Sequence, residues 1–200
     1  MSHDTIKIPE FRVKYKDVFS LRNLYLMLHF TLIEEGWVGS DGEPDGSDVE
    51  TLYSENVYQK GIHKGGKEMW FWWRVHKTYG GKYSSYIKNY LEIDAHVVYS
   101  QNVEIVHQGK KMTAQNCEIE MFFRPRIELD EDHKWANHWM LKHLKPIYHN
   151  RILHPELDKR EKELWRDVYY IQSKVKQFLQ LKTFVQTPEP FFARQYGYEN

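Results

Sequence analysis

Cysteine is all but missing from this chain, where Cys117 stands alone among 200 residues. A single thiol cannot close an intrachain disulfide, so the fold must rest on its core, and a reducing, cytoplasmic setting is the expectation. A surplus of either charge is missing too: Lys and Arg total 28, and Asp and Glu total 28. A protein that tracks a phosphate backbone carries a basic surplus, so nucleic acid is disfavoured as a partner. General attraction to an anionic membrane surface is disfavoured for the same reason. No run approaches the roughly 20 apolar residues of a membrane-spanning helix. Met1 to Pro9 lacks the apolar stretch of a secretory signal. Catalytic signatures such as G-x-S-x-G, G-x-G-x-x-G and C-x-x-C do not occur.

Aromatic side chains, by contrast, are plentiful, at 16% of the residues with seven Trp and fourteen Tyr. They concentrate in Met69-Trp70-Phe71-Trp72-Trp73-Arg74-Val75. Successive side chains of a strand point to opposite faces, so a half-buried strand is apolar on alternate positions only. Here both sets are apolar, which predicts that both faces of the sheet meet something.

A chain of this length suits one domain that buries roughly 70% of its unfolded surface. The pattern predicts a single α+β domain over 1–185 and an extended or disordered tail over 186–200. Ile6 to Tyr15 reads as a strand whose alternation changes phase at Pro9-Glu10, the mark of a bulge or an edge. A helix follows over about Val18–Glu35, with Leu21, Leu24, Tyr25, Leu28, Leu32 and Ile33 on one face. Asp17 or Ser20 can cap its start, and Gly36 can take the left-handed position after its end. Gly39–Asp48 is an acidic loop, and Val49–Tyr58 fits either a short helix or an irregular segment. Strands are predicted at Glu68–Lys77, Ser85–Tyr99, Asn102–His107 continuing into Lys111–Ala114, and Asn116–Leu129, with turns at Gly80-Gly81 and Gln108-Gly109. A helix over about Glu131–Leu144 places Trp135, Trp139, Met140 and Leu144 together, and Pro146 should end or kink it. A long helix then spans about 155–182, with Leu157, Leu164, Val168, Ile171, Val175 and Phe178 as its apolar positions.

The layout is therefore an antiparallel sheet of about five strands packed against an N-terminal and a long C-terminal helix. That element order resembles the START-like helix-grip layout, in which a curved sheet wraps the last helix around a ligand cavity. The resemblance rests on element order alone, and a cystatin-like arrangement is the alternative.

Alternation sorts the strands into two faces. Phe71, Trp73 and Val75 share a phase with Leu91, Ile93, Ala95 and Val97, and with Cys117, Ile119, Met121 and Phe123. This nearly apolar set is the expected core. The opposite set mixes Trp70, Trp72, Tyr90 and Phe122 with Arg74, His76, Glu92, Asp94, His96, Glu118, Glu120 and Arg124. Either the Glu131–Leu144 helix covers those aromatics or they form a contact surface.

Several motifs fall short of their chemistry. Gly61-Ile-His-Lys-Gly-Gly66-Lys67 matches the opening of a phosphate-binding loop, but Glu68 stands where Ser or Thr must hold Mg²⁺, and a strand follows where a helix should. Asp41-Gly-Glu43-Pro-Asp45-Gly46 fits positions one, three, five and six of a calcium loop, but Pro44 is unsuited to it and the twelfth position is Leu52 instead of Glu. His133, His138, His143, His149 and His154 recur at steps of five or six. A step of five turns a helix by about 140° between neighbours, which does not build a shared metal site. His96 with Glu92, Asp94, Glu118 and Glu120 is a better constellation, since all five share a sheet face and can serve acid–base chemistry or hold a metal, unless Arg and Lys pair them off. Cys117 reads as a small buried hydrophobe. Neither a cofactor nor a metal is expected.

Two readings lead. The first is a non-catalytic domain holding a hydrophobic small molecule between sheet and C-terminal helix, in a pocket lined by Trp73, Leu91, Met121, Phe123, Trp165 and Tyr169. The second is a protein-interaction or assembly subunit, a homodimer or a member of a complex. It would use Trp70, Trp72, Tyr90 and Phe122, or the C-terminal helix and the tail aromatics Phe191, Phe192, Tyr196 and Tyr198. A hydrolase or lyase built on the His96 face is the third.

Overall fold

A computed structural model describes residues 4–39, 50–57, 66–80, 86–107, 110–130, 134–135 and 137–181. Asp41, Glu43 and Asp45, the Gly61–Gly65 part of the basic turn, the turn residues Gly81, Gln108 and Gly109, His133, and the tail with Phe191, Phe192, Tyr196 and Tyr198 lie outside the described residues.

Pro9 shapes the first edge of the sheet. It offers no N–H to a ladder, so the chain breaks into β1 (Asp4–Lys7) and β2 (Phe11–Phe19) around it. Lys7 faces Arg126 and Phe11 faces Phe123, so four steps on this edge meet three on the neighbouring strand. The extra residue is the bulge that the change of phase predicts. Within it Ile8 still donates its N–H to the Pro125 carbonyl at 3.2 Å.

Helix α1 (Leu21–Glu34) follows, with Ser20 as its cap: the Asn23 N–H donates to Ser20 Oγ at 3.3 Å. Gly36 ends the turn at φ +75°. The expected start at Val18 is three residues early because β2 continues to Phe19, and Leu21 is the first helical residue. The segment that fitted helix or loop is strand β3 (Glu50–Val57). Strands β4 (Lys67–Lys77), β5 (Ile87–His107) and β6 (Lys110–Leu129) complete an antiparallel sheet of six strands in the order β1-β6-β5-β4-β3, with β2 also on β6.

The two strands expected over 85–107 are one. The register steps from Val98 opposite Glu118 to Gln101 opposite Asn116, a one-residue bulge, and Tyr99 sits in the left-handed region at φ 58°. The local signal was real, but β6 is long enough to pair on both sides of it, so the irregularity bends the strand without ending it.

Beyond the sheet, α2 is Leu141–Ile147 with Pro146 inside it, a π-helical turn covers Tyr148–Leu153, and α3 runs from His154 to Phe178. Pro146 lacks the N–H that would continue the α pattern, and the wider turn follows at once. The core lies where the alternation placed it. Leu24, Leu28 and Leu32 of α1 and Leu164, Val168, Ile171 and Val175 of α3 pack in one cluster with Trp73, Leu91, Ile93, Ile119, Met121 and Phe123 of the sheet. Both long helices thus occupy the same side of the sheet.

One end of α3 is fixed by charge. Arg160 is buried and reaches Glu156 at 2.8 Å, Glu163 at 3.1 Å and the Gly80 carbonyl at 3.0 Å. Two turns further along, Asp167 accepts from Lys77 Nζ at 2.8 Å and from the Tyr79 hydroxyl. Burial, reinforced by the Asp167 bond, pushes the Tyr79 hydroxyl pKa well above the ordinary phenol range.

Candidate functional site

The face of the sheet opposite the helices carries the chemistry. Register makes it a grid in which side chains of one phase from β4, β5, β6 and β2 stand in rows. Trp70, His96, Glu120 and Lys14 form one row, and Trp72, Asp94, Phe122 and Arg12 the next. Arg74, Glu92 and Arg124 follow, then His76, Tyr90, Arg126 and Lys7.

The β4 side of the grid is aromatic. Trp70 and Trp72 stack with ring centroids 5.7 Å apart and planes within 7°. His96 lies against Trp70 at 3.7 Å, and its Nε2 is 2.7 Å from Glu68 Oε1. The β6 side is ionic. Glu120 pairs with Arg12, and Glu118 pairs with Lys14 at 2.6 Å. Asp94 meets Arg74 at 2.7 Å and also Arg124, whose other partner is Glu10 at 2.6 Å. Glu92 meets Arg126, which also holds Glu128 at 2.8 Å. The two remaining aromatics join this half through cations: Arg12 and Arg124 each lie 5.4 Å from the Phe122 ring, and Arg126 lies 4.7 Å from the Tyr90 ring.

The structure therefore brings His96, Glu92, Asp94, Glu118 and Glu120 onto one surface, as alternation required, and meets each carboxylate with a cation. The Lys14 bond pulls the Glu118 carboxyl below its ordinary range. No group of three or more His, Cys, Asp or Glu among the described residues is arranged to hold a metal ion. Two shallow clefts of about 560 Å³ and 390 Å³ open on this face, sharing Glu92 and Arg126, with Lys7, Glu10 and Arg124 lining the larger one and Arg74, His76 and Tyr90 the smaller.

The candidate lining of an internal pocket divides in two. Trp73, Leu91, Met121 and Phe123 are wholly buried in the common cluster. Trp165 is instead half-buried at the edge of that cluster and Tyr169 is exposed; their rings meet at a tilt, 5.3 Å apart, and both lie against Phe11. The buried region holds polar atoms with no hydrogen-bond partner, namely Trp73 Nε1, Trp37 Nε1 and both side-chain ends of Asn89.

The helix expected over Glu131–Leu144 begins only at Leu141. Trp135 packs against Tyr148 at 4.4 Å and Tyr86 at 5.5 Å, and Trp139 is 75% exposed. Among the described residues no ring contact joins either Trp to Trp70, Trp72, Tyr90 or Phe122. Within the basic turn, Lys67 opens strand β4 and pairs with Glu55 at 2.7 Å, which is ordinary strand-surface chemistry.

No protein-family model matches the sequence, and no curated protein matches it. Among solved structures, a chain described as delta-endotoxin is similar with a TM-score of 0.30 and 8% identity, over 62% of this chain and 60% of that one. A likeness of that size carries no argument about function.

Proposed function

We propose that this chain is a non-catalytic interaction domain that receives a protein partner on the outer face of its sheet, with Trp70 and Trp72 at the centre of the contact. One observation supports this above the rest: both long helices pack on the opposite face, while the Trp72–Trp70–His96 stack stands among strands with no described helix over it. Trp, Tyr and Arg are the residues that dominate binding energy at interfaces, and this face supplies all three, ringed by paired charges that can serve as a polar rim. The acid–base reading loses weight on the same face, because its carboxylates are committed to Arg and Lys.

The test is a photo-crosslinking residue in place of Trp72, introduced in the native cell, with a second at Tyr169 as the control. A discrete crosslinked species at position 72, whether a second copy or another protein, that disappears with Trp70→Ala supports the reading. A truncated central Trp costs about 2 kcal/mol or more at such a site, a loss of roughly 30-fold in affinity. A monomer that gives no discrete crosslink at 72 defeats it.

A second reading keeps a hydrophobic small molecule between sheet and α3. Two features support it: the element order of the helix-grip resemblance, and the buried, unpartnered Trp73 Nε1 and Asn89 amide, which a ligand's polar end would satisfy. Native mass spectrometry beside a denatured spectrum tests it, since a small mass lost on denaturation is required.

A further inference from the structure

The outer faces of β4 and β6 are ordered by charge. On β6 that face runs Glu118, Glu120, Phe122, Arg124, Arg126: two acids, a ring, two cations. On β4 it runs Glu68, Trp70, Trp72, Arg74, His76. Register sets Trp72 and Phe122 in one row with Asp94 and Arg12, so both strands turn from acid to cation about that row. None of these side chains is buried, although alternate residues of the same strands, such as Trp73 and Phe123, fill the core.

Such an order is complementary to itself. A two-fold axis along the Trp72–Asp94–Phe122 row lays a second copy face to face with the first. It keeps β4 over β4 and β6 over β6 and reverses the strand direction. Glu118 then lies over Arg126 of the other copy, and Glu120 over Arg124. Trp72 lies over Trp72, and Trp70 lies over Arg74, a cation on an aromatic face. Each contact between unlike positions occurs twice.

Positions that meet their own kind are neutralised or lie at the rim. Asp94, on the axis, sits between Arg74 at 2.7 Å and Arg124. Arg12, also on the axis, is paired with Glu120. Lys16 over Lys7 brings together two exposed side chains, whose repulsion salt screens. The five strand positions of the sheet and residues 90–98 along β5 span a plane of roughly 650 Å² per copy before side-chain relief is counted, against about 800 Å² of accessible surface per partner in a standard interface.

We infer that the partner of this face is a second copy of the same chain, in a two-fold dimer of stacked sheets with Trp72 and Phe122 on the axis. The assignment rests on the reading of this face as a partner surface and adds the partner's identity and orientation.

The experiment is sedimentation equilibrium of the full chain and of two charge variants. Rows beside the axis are displaced least by the twist of about 30° between stacked sheets, so Glu120 and Arg124 are the pair to change. The parent should be a dimer. Glu120→Arg alone and Arg124→Glu alone each set like charges over one another at both copies of the contact, and each should weaken the dimer by about 100-fold or more. An equimolar mixture should restore association, because the introduced Arg faces the introduced Glu while native Arg124 faces native Glu120. Circular dichroism checks that each variant is folded. If either is not, Phe122→Cys takes their place: its position on the axis faces itself, so a short bismaleimide should join two chains there, Cys117 being buried, and should not do so at Tyr169→Cys on α3. A dimer that both folded variants leave intact, a mixture of folded variants that stays apart, or a Phe122→Cys chain that does not link overturns the inference. A monomeric parent also overturns it, and the crosslink at position 72 then separates the two readings: a different protein captured there keeps the partner surface, and no capture removes both.

Discussion

Replacing Arg160 by Met tests whether charge clamps α3 to the end of β4. Met preserves most of the stem's apolar volume and removes the guanidinium with all of its donors. Three acceptors then lose their partner: Glu156 at 2.8 Å, Glu163 at 3.1 Å and the Gly80 carbonyl at 3.0 Å. The two carboxylate side chains are 24% and 21% exposed, so water recovers part of their solvation, whereas the Arg160 side chain itself is only 8% exposed. Gly80 is exposed, so water takes the place of the lost donor at its carbonyl and little is lost there. The loss comes from the two carboxylates left without that cation, of which Glu163 keeps Lys159 at 3.9 Å, and release from the cost of burying the guanidinium subtracts from it. The balance is a loss of about 1–3 kcal/mol, below the full range for breaking a buried ion pair because the acids keep some water. Urea unfolding followed by Trp fluorescence reads it. With a slope of about 2 kcal/mol/M, the midpoint should fall by about 0.5–1.5 M at unchanged slope. Adding Glu163→Gln should restore part of the loss, because it removes one of the stranded charges, and that coupling marks the interaction as direct. Arg160→Lys should not rescue fully, since one ammonium lacks the planar fork that spans these acceptors. If the Met variant unfolds at the parent's midpoint, the guanidinium's bonds only repay its burial, and the clamp does not exist.

Two further outcomes follow from groups in the sheet. Burial pushes the Cys117 thiol up to about 12, so the native chain should resist alkylation at pH 8 and react only when unfolded in denaturant; rapid labelling of the native state would show that position to be open. Because that pKa is raised, the stability gained by keeping the thiol neutral is intact below the ordinary thiol range and declines as pH climbs from there towards about 12. The Glu118 carboxyl is lowered, chiefly by its bond from Lys14, so its contribution is present above the ordinary glutamate range and fades as pH falls through the lowered value. Carboxyl carbon shifts in an NMR titration should show the Glu118 midpoint move upward in Lys14→Met, and no movement would show the pair to be open in solution.

Local signals that depend on one residue's covalent chemistry were legible in the sequence. Pro9 cannot donate to a ladder, and the sheet edge breaks there; Ser20 caps α1 with its hydroxyl, and Gly36, which lacks a Cβ, takes the left-handed turn after it. The alternation through Trp73, Ile93 and Met121 gave the core face because a strand offers only two faces. Signals that depend on a partner strand were not legible. Tyr99 looked like the end of a strand, and only the length of β6 makes it a bulge; Glu50–Val57 has no clear alternation and becomes a strand because the edge of β4 is there to receive it. The acidic and basic residues of the outer face were visible, but their pairing needed the register that sets Glu92 beside Arg124 and Arg126.

Position relative to the rest of the molecule is what spacing cannot supply, and the stretch after β6 shows it. Trp135, Trp139, Met140 and Leu144 share a helical face by arithmetic, and arithmetic alone sends such a face inward. The folded chain separates them, because Asp130 accepts the Trp135 N–H at 3.1 Å and holds Lys145, which turns Trp135 towards Tyr148 and leaves the helix to start at Leu141 with none of its residues buried. Composition concealed the same region, since a total of 28 charges of each sign averages a basic block with no acid from His133 to Pro155 against acids elsewhere. Electrostatic screening in physiological salt acts over about 8 Å, so a surface feels the charges beside it and not the sum along the chain.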